Sequence, residues 1–109
     1  MSKEKRWMRH EIEHLIESKD KAVCRAVEAL FARQTNDEQV AERTKHNNGR
    51  GFTGADSRIM SSFAKQIQRW NGFRVKRHKL PLSPKQVFVA RKRLHKYAGQ
   101  LTKIANGEL

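Results

Sequence analysis

A histidine and glutamate pattern near the N-terminus is the part of the sequence that most resembles a catalytic site. His10, Glu11 and His14 spell H-E-x-x-H, which on a helix places both imidazoles on one face to bind zinc while the glutamate activates water. Glu13 is charged where zinc peptidases usually have an uncharged residue, no H-x-x-G-x-x-H continuation follows, and a third ligand would have to come from a residue such as Glu28. We therefore predict that the protein is not an enzyme and uses no cofactor, with a zinc hydrolase as the remote alternative.

A glycine-rich segment has the spacing of a phosphate-binding loop. Gly49, Gly51 and Gly54 fit G-x-G-x-x-G immediately before a predicted helix, where backbone N–H groups can bind an anion. No strand is predicted before them, and 109 residues are too few for a full Rossmann domain. The pattern therefore predicts a turn-forming loop, and its alternative is a nucleic-acid phosphate clamp involving Arg50 and Lys45.

The charge is distributed unevenly along the chain. Residues 1–56 contain eleven Lys and Arg against ten Asp and Glu, whereas residues 57–107 contain thirteen Lys and Arg and no acidic residue. Because helix surfaces normally mix both signs and like charges repel, this composition predicts an anionic partner. Nucleic acid is the commonest polyanion, and an acidic protein surface is the alternative. We expect no membrane partner.

The predicted nucleic-acid interface consists of the basic connector and the last helix. Lys85, Lys92 and Lys96 share one helical face and could follow the phosphates of one strand. Arg91, or Arg93 beside it, could instead reach a base edge. A solvated helix face is the alternative interpretation. The candidate binding residues are Arg50, Arg69, Arg74, Lys76, Arg77, Lys79, Lys85, Arg91, Lys92, Arg93 and Lys96.

The elements that must position these residues are helical. Apolar spacing predicts an all-α protein, a compact bundle of four to five helices with a basic connector before the last one. An N-terminal pair occupies residues 1–34, with its second helix capped by Ser18 or Asp20 unless the two helices are continuous. A capping-box pattern at Thr35 predicts a short polar helix to Arg43. The stripe of the first helix, predicted over residues 3–17, is Met8, Ile12, Leu15 and Ile16, with Trp7 at its edge.

Residues 54–106 are predicted to form a basic helix-connector-helix unit. Thr53 and Asp56 cap its first helix, which has an apolar stripe from Ile59 to Trp70 and ends at Gly72. The last helix ends at Gly107, and Gly99 inside it marks a kink or a close helix contact. Its start combines Ser83 at the N-cap, Pro84 at N1, Gln86 at N3 and a hydrophobic staple of Leu82 and Val87.

The remaining aromatic and cysteine residues are assigned to packing. We expect Phe52, Trp70, Tyr97 and Cys24 to contribute to the core rather than to ligand contact. The length fits one domain, and no apolar segment approaches the ~20 residues of a membrane span. The charged N-terminus lacks a signal region, so we expect a cytoplasmic protein. The N-terminal pair completes the core or forms a homodimer.

Two strings of the sequence resemble small uncharacterised phage and prophage proteins. These strings are GFTGADSRIMSSFAKQI and LSPKQVFVARKRLHKYAGQL, and they cover about half the chain. The resemblance implies a bacterial or phage setting and a connection with DNA handling, and it admits a counter-defence role. It assigns no functional residue. The residues that carry it are Gly51, Phe52 and Asp56, then Leu82, Pro84, Lys85 and Gln86, then Lys96, Tyr97, Gln100 and Leu101.

Overall fold

The computed structural model describes residues 6–34, 51–74 and 79–108, and over these ranges the chain is an all-α bundle, as predicted. The described ranges contain five α-helices, of which the last two are joined by a 3-10 turn over His95–Tyr97, in agreement with the predicted bundle of four to five helices. The short helix predicted from Thr35 to Arg43 lies outside the described residues. The helices are α1 (Arg9–Ser18), α2 (Asp20–Phe31), α3 (Gly54–Gly72), α4 (Pro84–Leu94) and α5 (Ala98–Ala105).

The start of α1 differs from the prediction. The backbone is extended at Met8, and the helix begins at Arg9 because the side chain of Glu11 accepts a hydrogen bond from the Met8 backbone N–H (3.0 Å). Met8 is therefore 52% exposed, and its predicted place in the apolar stripe was wrong. Ile12 and Ile16, one turn apart, are buried as predicted.

The two N-terminal helices are separate. Lys19 has an extended backbone between them and is the N-cap of α2, so neither Ser18 nor Asp20 occupies the predicted cap position. The Ser18 hydroxyl instead donates to the carbonyl of His14 (2.7 Å), and Asp20 is the first residue of α2. This break lets α1 fold back against both α2 and α5.

The core is centred on α2, which packs against each of the other helices. Its buried face extends from Val23 to Phe31 and includes Cys24, as predicted, and burial raises the pKa of the Cys24 thiol above its ordinary value. None of the helices in the described part of the chain combines the length and apolar character that a membrane span needs. The buried apolar cluster comprises Ile12, Ile16, Val23, Cys24, Ala26, Val27, Leu30, Phe31, Phe52, Met60, Phe63, Ala64, Ile67, Leu82, Val87, Ala90, Leu94, Tyr97 and Leu101.

The predicted N-cap at Ser83 and the predicted C-terminal end at Gly107 of the last helical segment are confirmed. Ser83 Oγ accepts a hydrogen bond from the Gln86 backbone N–H (3.2 Å), and Gln86 Oε1 accepts one from the Ser83 backbone N–H (2.9 Å), which is the capping box. At the other end Gly107 has φ +73°, and the N–H of Glu108 donates to the carbonyl of Lys103 (2.7 Å). These hydrogen bonds define where the basic helical segment from α4 to α5 begins and ends.

The interior of that unit differs from a straight helix. The 3-10 turn precedes Gly99, so the change in helix geometry begins before the glycine that was predicted to mark it. A Cβ placed at Gly99 would lie 3.8 Å from Nη1 of Arg9, an ordinary contact with the start of α1. Ala105 is exposed and Ile104 is half-buried, because the chain leaves the core at the end of α5.

Candidate nucleic-acid interface

The candidate cations on α4 divide into those that hold the fold together and those that face solvent. Arg91 belongs to the first group. Its Nη2 lies 2.6 Å from Oδ1 of Asp20, and its Nε donates to the carbonyl of Ile16 (2.8 Å). With the side chain only 23% exposed, Arg91 ties α4 to the end of α1 and the start of α2. The predicted base-reading role would require breaking these contacts.

Arg93 and Lys96 bind a buried carboxylate on α3. Arg93 Nη1 lies 2.8 Å from Oδ1 of Asp56, and Lys96 Nζ lies 2.7 Å from Oδ2. Asp56 is 1% exposed, whereas the side chains of Arg93 and Lys96 are 38% and 50% exposed. Lys96, predicted to bind phosphate, and Arg93, predicted as a possible base-edge contact, are therefore already paired with a buried acidic residue.

Tyr97 completes this cluster, which we call the Asp56 clasp (Thr53, Asp56, Arg93, Lys96 and Tyr97). The Tyr97 hydroxyl donates to Oδ2 of Asp56 (2.6 Å) and accepts a hydrogen bond from the Thr53 backbone N–H (3.0 Å). Thr53 is the N-cap of α3, as predicted, but its side chain makes no capping hydrogen bond, and the Tyr97 hydroxyl bonds to both Thr53 and Asp56 instead. The clasp instead joins the first turn of α3 to the 3-10 turn.

The electrostatics of the clasp follow from its burial and its donors. Burial alone would raise the pKa of the Asp56 carboxyl, but hydrogen bonds from Lys96, Tyr97 and Arg93 outweigh it and hold that pKa below its ordinary value. Burial, followed by the hydrogen bond to the Asp56 carboxylate, raises the pKa of Tyr97 to about 12. The clasp therefore holds an ionised aspartate and a neutral tyrosine at physiological pH.

The residues that carry the phage resemblance meet in space around the clasp. The Gly51 backbone N–H donates to Oε1 of Gln100 (2.6 Å), and Nε2 of Gln100 donates to the Gly51 carbonyl (3.2 Å). Phe52 is 1% exposed and packs edge-on against the ring of Tyr97 with centroids 6.2 Å apart. Residues of the first string, in the loop before α3, thus contact residues of the second string in the 3-10 turn and at the start of α5. This is a structural role.

A second link lies at the other end of α4. Nε2 of Gln66 on α3 donates to Oε1 of Gln86 (2.8 Å) and to the carbonyl of Pro81 (2.8 Å). Gln86 therefore both caps α4 and bonds to α3, so the two cationic helices are fixed to each other at both ends of α4. A rigid pair of helices presents their exposed side chains with little ordering cost on binding.

The other group of cations is exposed. Within the described part of residues 57–107, seven basic side chains are exposed and have no acidic side chain within ion-pair distance in the ranges that the structure describes. Three of them, Arg58, Arg69 and Lys103, lie on α3 and α5; the rest lie on the ends of the connector and on α4. The seven are Arg58, Arg69, Arg74, Lys79, Lys85, Lys92 and Lys103.

The outer face of α4, defined by Lys85, Phe88 and Lys92, carries an aromatic residue that the sequence reasoning did not single out. Phe88 is 57% exposed, and Lys92 Nζ lies 4.9 Å from the centre of its ring. Beside the ring is an open depression of about 480 Å³ lined partly by Lys92, Arg93 and Lys96. The signal available in the sequence was the spacing, because Phe88 lies three residues after one lysine and four before another.

The remaining sequence candidates are placed as follows. Arg50, Lys76 and Arg77, together with Lys45, lie outside the described residues. His10 and His14 are exposed on α1, and Glu11 caps that helix. In residues 6–34, 51–74 and 79–108 no three His, Cys, Asp or Glu side chains are grouped so that they could hold a metal ion.

Comparison of the chain with protein-family models, with curated proteins and with solved structures gave no match.

Proposed function

We propose that this protein binds nucleic acid, DNA or RNA, mainly through phosphate contacts and without catalysing a reaction. The observation that carries the proposal is the group of seven exposed cations left without an acidic partner in the described part of residues 57–107. In contrast, Arg91 pairs with Asp20, and Arg93 and Lys96 pair with Asp56. The outward-facing cations would be neutralised by a polyanion.

The proposed interface consists of the outer face of α4, the described ends of the connector and the cations of α3. Lys85 and Lys92 extend along α4, and Lys79 and Arg74 lie at the two described ends of the connector. Lysine and arginine side chains at such spacing bind phosphates without reading sequence. Binding would release counterions, so the affinity should fall steeply with salt.

A salt titration tests this proposal. Dissociation constants for single-stranded DNA, duplex DNA and RNA would be measured by fluorescence anisotropy between low and physiological salt. We expect a log-log slope of several units, and Lys85→Ala or Lys92→Ala should each reduce the slope by about 0.7 to 0.9. Arg6→Ala is the matched control, since it removes the same charge from a side chain that already pairs with Glu108 (2.9 Å), and it should leave the slope unchanged. Micromolar or weaker affinity for all three nucleic acids at low salt would refute the proposal.

A second candidate function is that of an interaction protein with an acidic protein partner. The observation favouring it is an apolar groove of about 550 Å³ between α1, α2 and α5, with Lys19, Lys21 and Arg25 among its lining residues. An amphipathic partner helix with acidic residues beside its apolar stripe would complement the apolar lining and the basic side chains of this groove. Under this proposal the partner could be an enzyme that acts on nucleic acid, and a homodimer would be an alternative use of the same N-terminal pair.

Charge reversal separates the two candidates. Lys21→Glu with Arg25→Glu should abolish binding of an acidic amphipathic peptide and leave the affinity for nucleic acid within about two-fold if α4 and the connector form the nucleic-acid site. Light scattering at several protein concentrations reports whether a homodimer forms instead. In either case we propose a bacterial or phage protein that acts in the cytoplasm of the host cell.

A further inference from the structure

Phe88 is a large apolar side chain that the core does not use. The buried face of α4 consists of Val87, Ala90 and Leu94, and Phe88 lies on the opposite side with 57% of its surface exposed. Full burial of a phenylalanine ring is worth roughly 1.5–3 kcal/mol, so covering the exposed part of Phe88 with a ligand would recover part of that free energy.

The surroundings of the ring are cationic. Helical spacing places Lys85 and Lys92 on the same side of α4 as Phe88, and the ammonium of Lys92 lies 4.9 Å from the ring centre. The adjacent depression of about 480 Å³ has Arg93 and Lys96 in its lining, and both remain more than a third exposed while they hold Asp56. The exposed ring of Phe88 is therefore bordered by basic side chains, and the ammonium of Lys92 lies over one of its faces.

From this arrangement we infer that Phe88 is a stacking site for an unpaired nucleobase of single-stranded DNA or RNA. This inference rests on the proposed nucleic-acid binding and names the form of nucleic acid that the site prefers. The faces of bases inside a duplex are covered by their neighbours, so an aromatic ring can stack on an unpaired base without the unstacking cost that insertion into a duplex requires. Lys92 and Lys85, on the same side of α4 as the ring, would hold the flanking phosphates.

The experiment compares single strands with a duplex in variants of one residue. Phe88→Leu keeps an apolar side chain of similar size and removes the π face, whereas Phe88→Trp keeps the π face. Because Phe88 is exposed, both variants should fold, and circular dichroism melts would verify this. The probes are a deoxythymidine oligonucleotide, a uridine oligonucleotide of equal length and a DNA duplex, each at the same salt concentration.

We expect Phe88→Leu to weaken binding of both single strands by about five-fold or more and binding of the duplex by less than two-fold, with Phe88→Trp close to the wild type throughout. Photocrosslinking with 5-iodouracil oligonucleotides should place the crosslink at residue 88.

Two results would overturn the inference and leave the proposed function intact. In one, Phe88→Leu binds single strands as tightly as the wild type while Lys85→Ala still lowers the salt slope. In the other, Phe88→Leu weakens single strands and duplex equally, which means that the ring contacts the backbone and not a base face. Failure of the unsubstituted protein to bind any of the three probes would instead overturn the proposed function and this inference with it.

Discussion

Replacing Asp56 with asparagine tests whether the Asp56 clasp holds the cationic helix on the bundle. We expect Asp56→Asn to lower the free energy of unfolding by about 3 kcal/mol. The substitution keeps the size of the side chain, so the loss would come from charge and hydrogen bonding and not from a cavity. It removes the ionised partner of Arg93 and Lys96 and leaves Tyr97 with at most a neutral acceptor.

The magnitude follows from the burial of the clasp. Hydrogen bonds to a charged group contribute about 1.5–3 kcal/mol each, and three donors contact this carboxylate. Breaking a buried ion pair typically costs about 3–5 kcal/mol. The lower end applies, because the side chains of Arg93 and Lys96 are 38% and 50% exposed and can be rehydrated when Asp56 loses its charge.

Urea unfolding followed by circular dichroism measures the effect. With an m-value of roughly 1–3 kcal/mol per molar urea, the midpoint should fall by about 1–3 M while the m-value stays constant. Asp20→Asn is the matched control, since that carboxylate also pairs with an arginine, Arg91, but is 53% exposed. Its loss should be about 0–1 kcal/mol. Equal losses for Asp56→Asn and Asp20→Asn would refute the assignment of the clasp as a main stabilising contact.

The pH dependence provides an independent check. Because the pKa of Asp56 is lowered in the folded protein, its stabilising contribution is complete above the ordinary aspartate pKa of about 3.9 and is lost as pH falls through the lower folded value. The difference in stability between wild type and Asp56→Asn should therefore be constant from neutral pH to about pH 5 and shrink in more acidic solution. A difference that grows on acidification would contradict the predicted direction of the pKa shift.

Three further substitutions test other contacts. Gly51→Ala should destabilise by about 1–3 kcal/mol in urea unfolding, because Gly51 has φ +77° and an added Cβ would overlap the Gln34 side chain; a neutral effect would contradict the loop conformation. Tyr97→Phe should lower the free energy of unfolding by about 1–2 kcal/mol at pH 7. Because the pKa of Tyr97 is raised to about 12 in the folded protein, the difference in stability between the wild type and the variant should narrow as pH rises from about 10 to 12. A difference independent of pH would show that the pKa of Tyr97 is the same in the folded and unfolded protein. Ser83→Ala should cost about 1 kcal/mol by removing the oxygen that accepts from Gln86, a loss measurable in the thermal midpoint.

Local signals in the sequence account for most of the fold. Capping residues and apolar spacing predicted the start of α4 at Ser83 and the end of α3 at Gly72, because these signals act within a few residues. They failed at Met8, where the same capping box that begins α1 leaves an apolar residue outside the helix. They located the N-cap of α3 at Thr53 but missed its hydrogen bond to Tyr97, which is distant in the chain and becomes a neighbour only through folding.

The candidate site was harder to predict for the same reason. Counting charge by segment treats Arg91, Arg93 and Lys96 as cations without acids nearby, but Asp20 and Asp56 reach them from other helices. No sequence pattern distinguishes these paired cations from Lys85 and Lys92 on the same helix. The distinction depends on which side of α4 packs against α1, α2 and α3, and that is a property of the assembled bundle.

The basic residues of α4 therefore contribute to the charge difference between residues 1–56 and 57–107 for two physical reasons. Acidic side chains from residues 1–56 neutralise the inward-facing arginines of α4, so part of the basic excess in residues 57–107 is an internal requirement of the fold. The repulsion that remains is concentrated among exposed cations on the outer face of α4, at the ends of the connector and on α3. Since the buried carboxylate holds that outer face rigidly in place, the contacts that stabilise the bundle are also those that would preorganise Lys85, Phe88 and Lys92 for an anionic ligand.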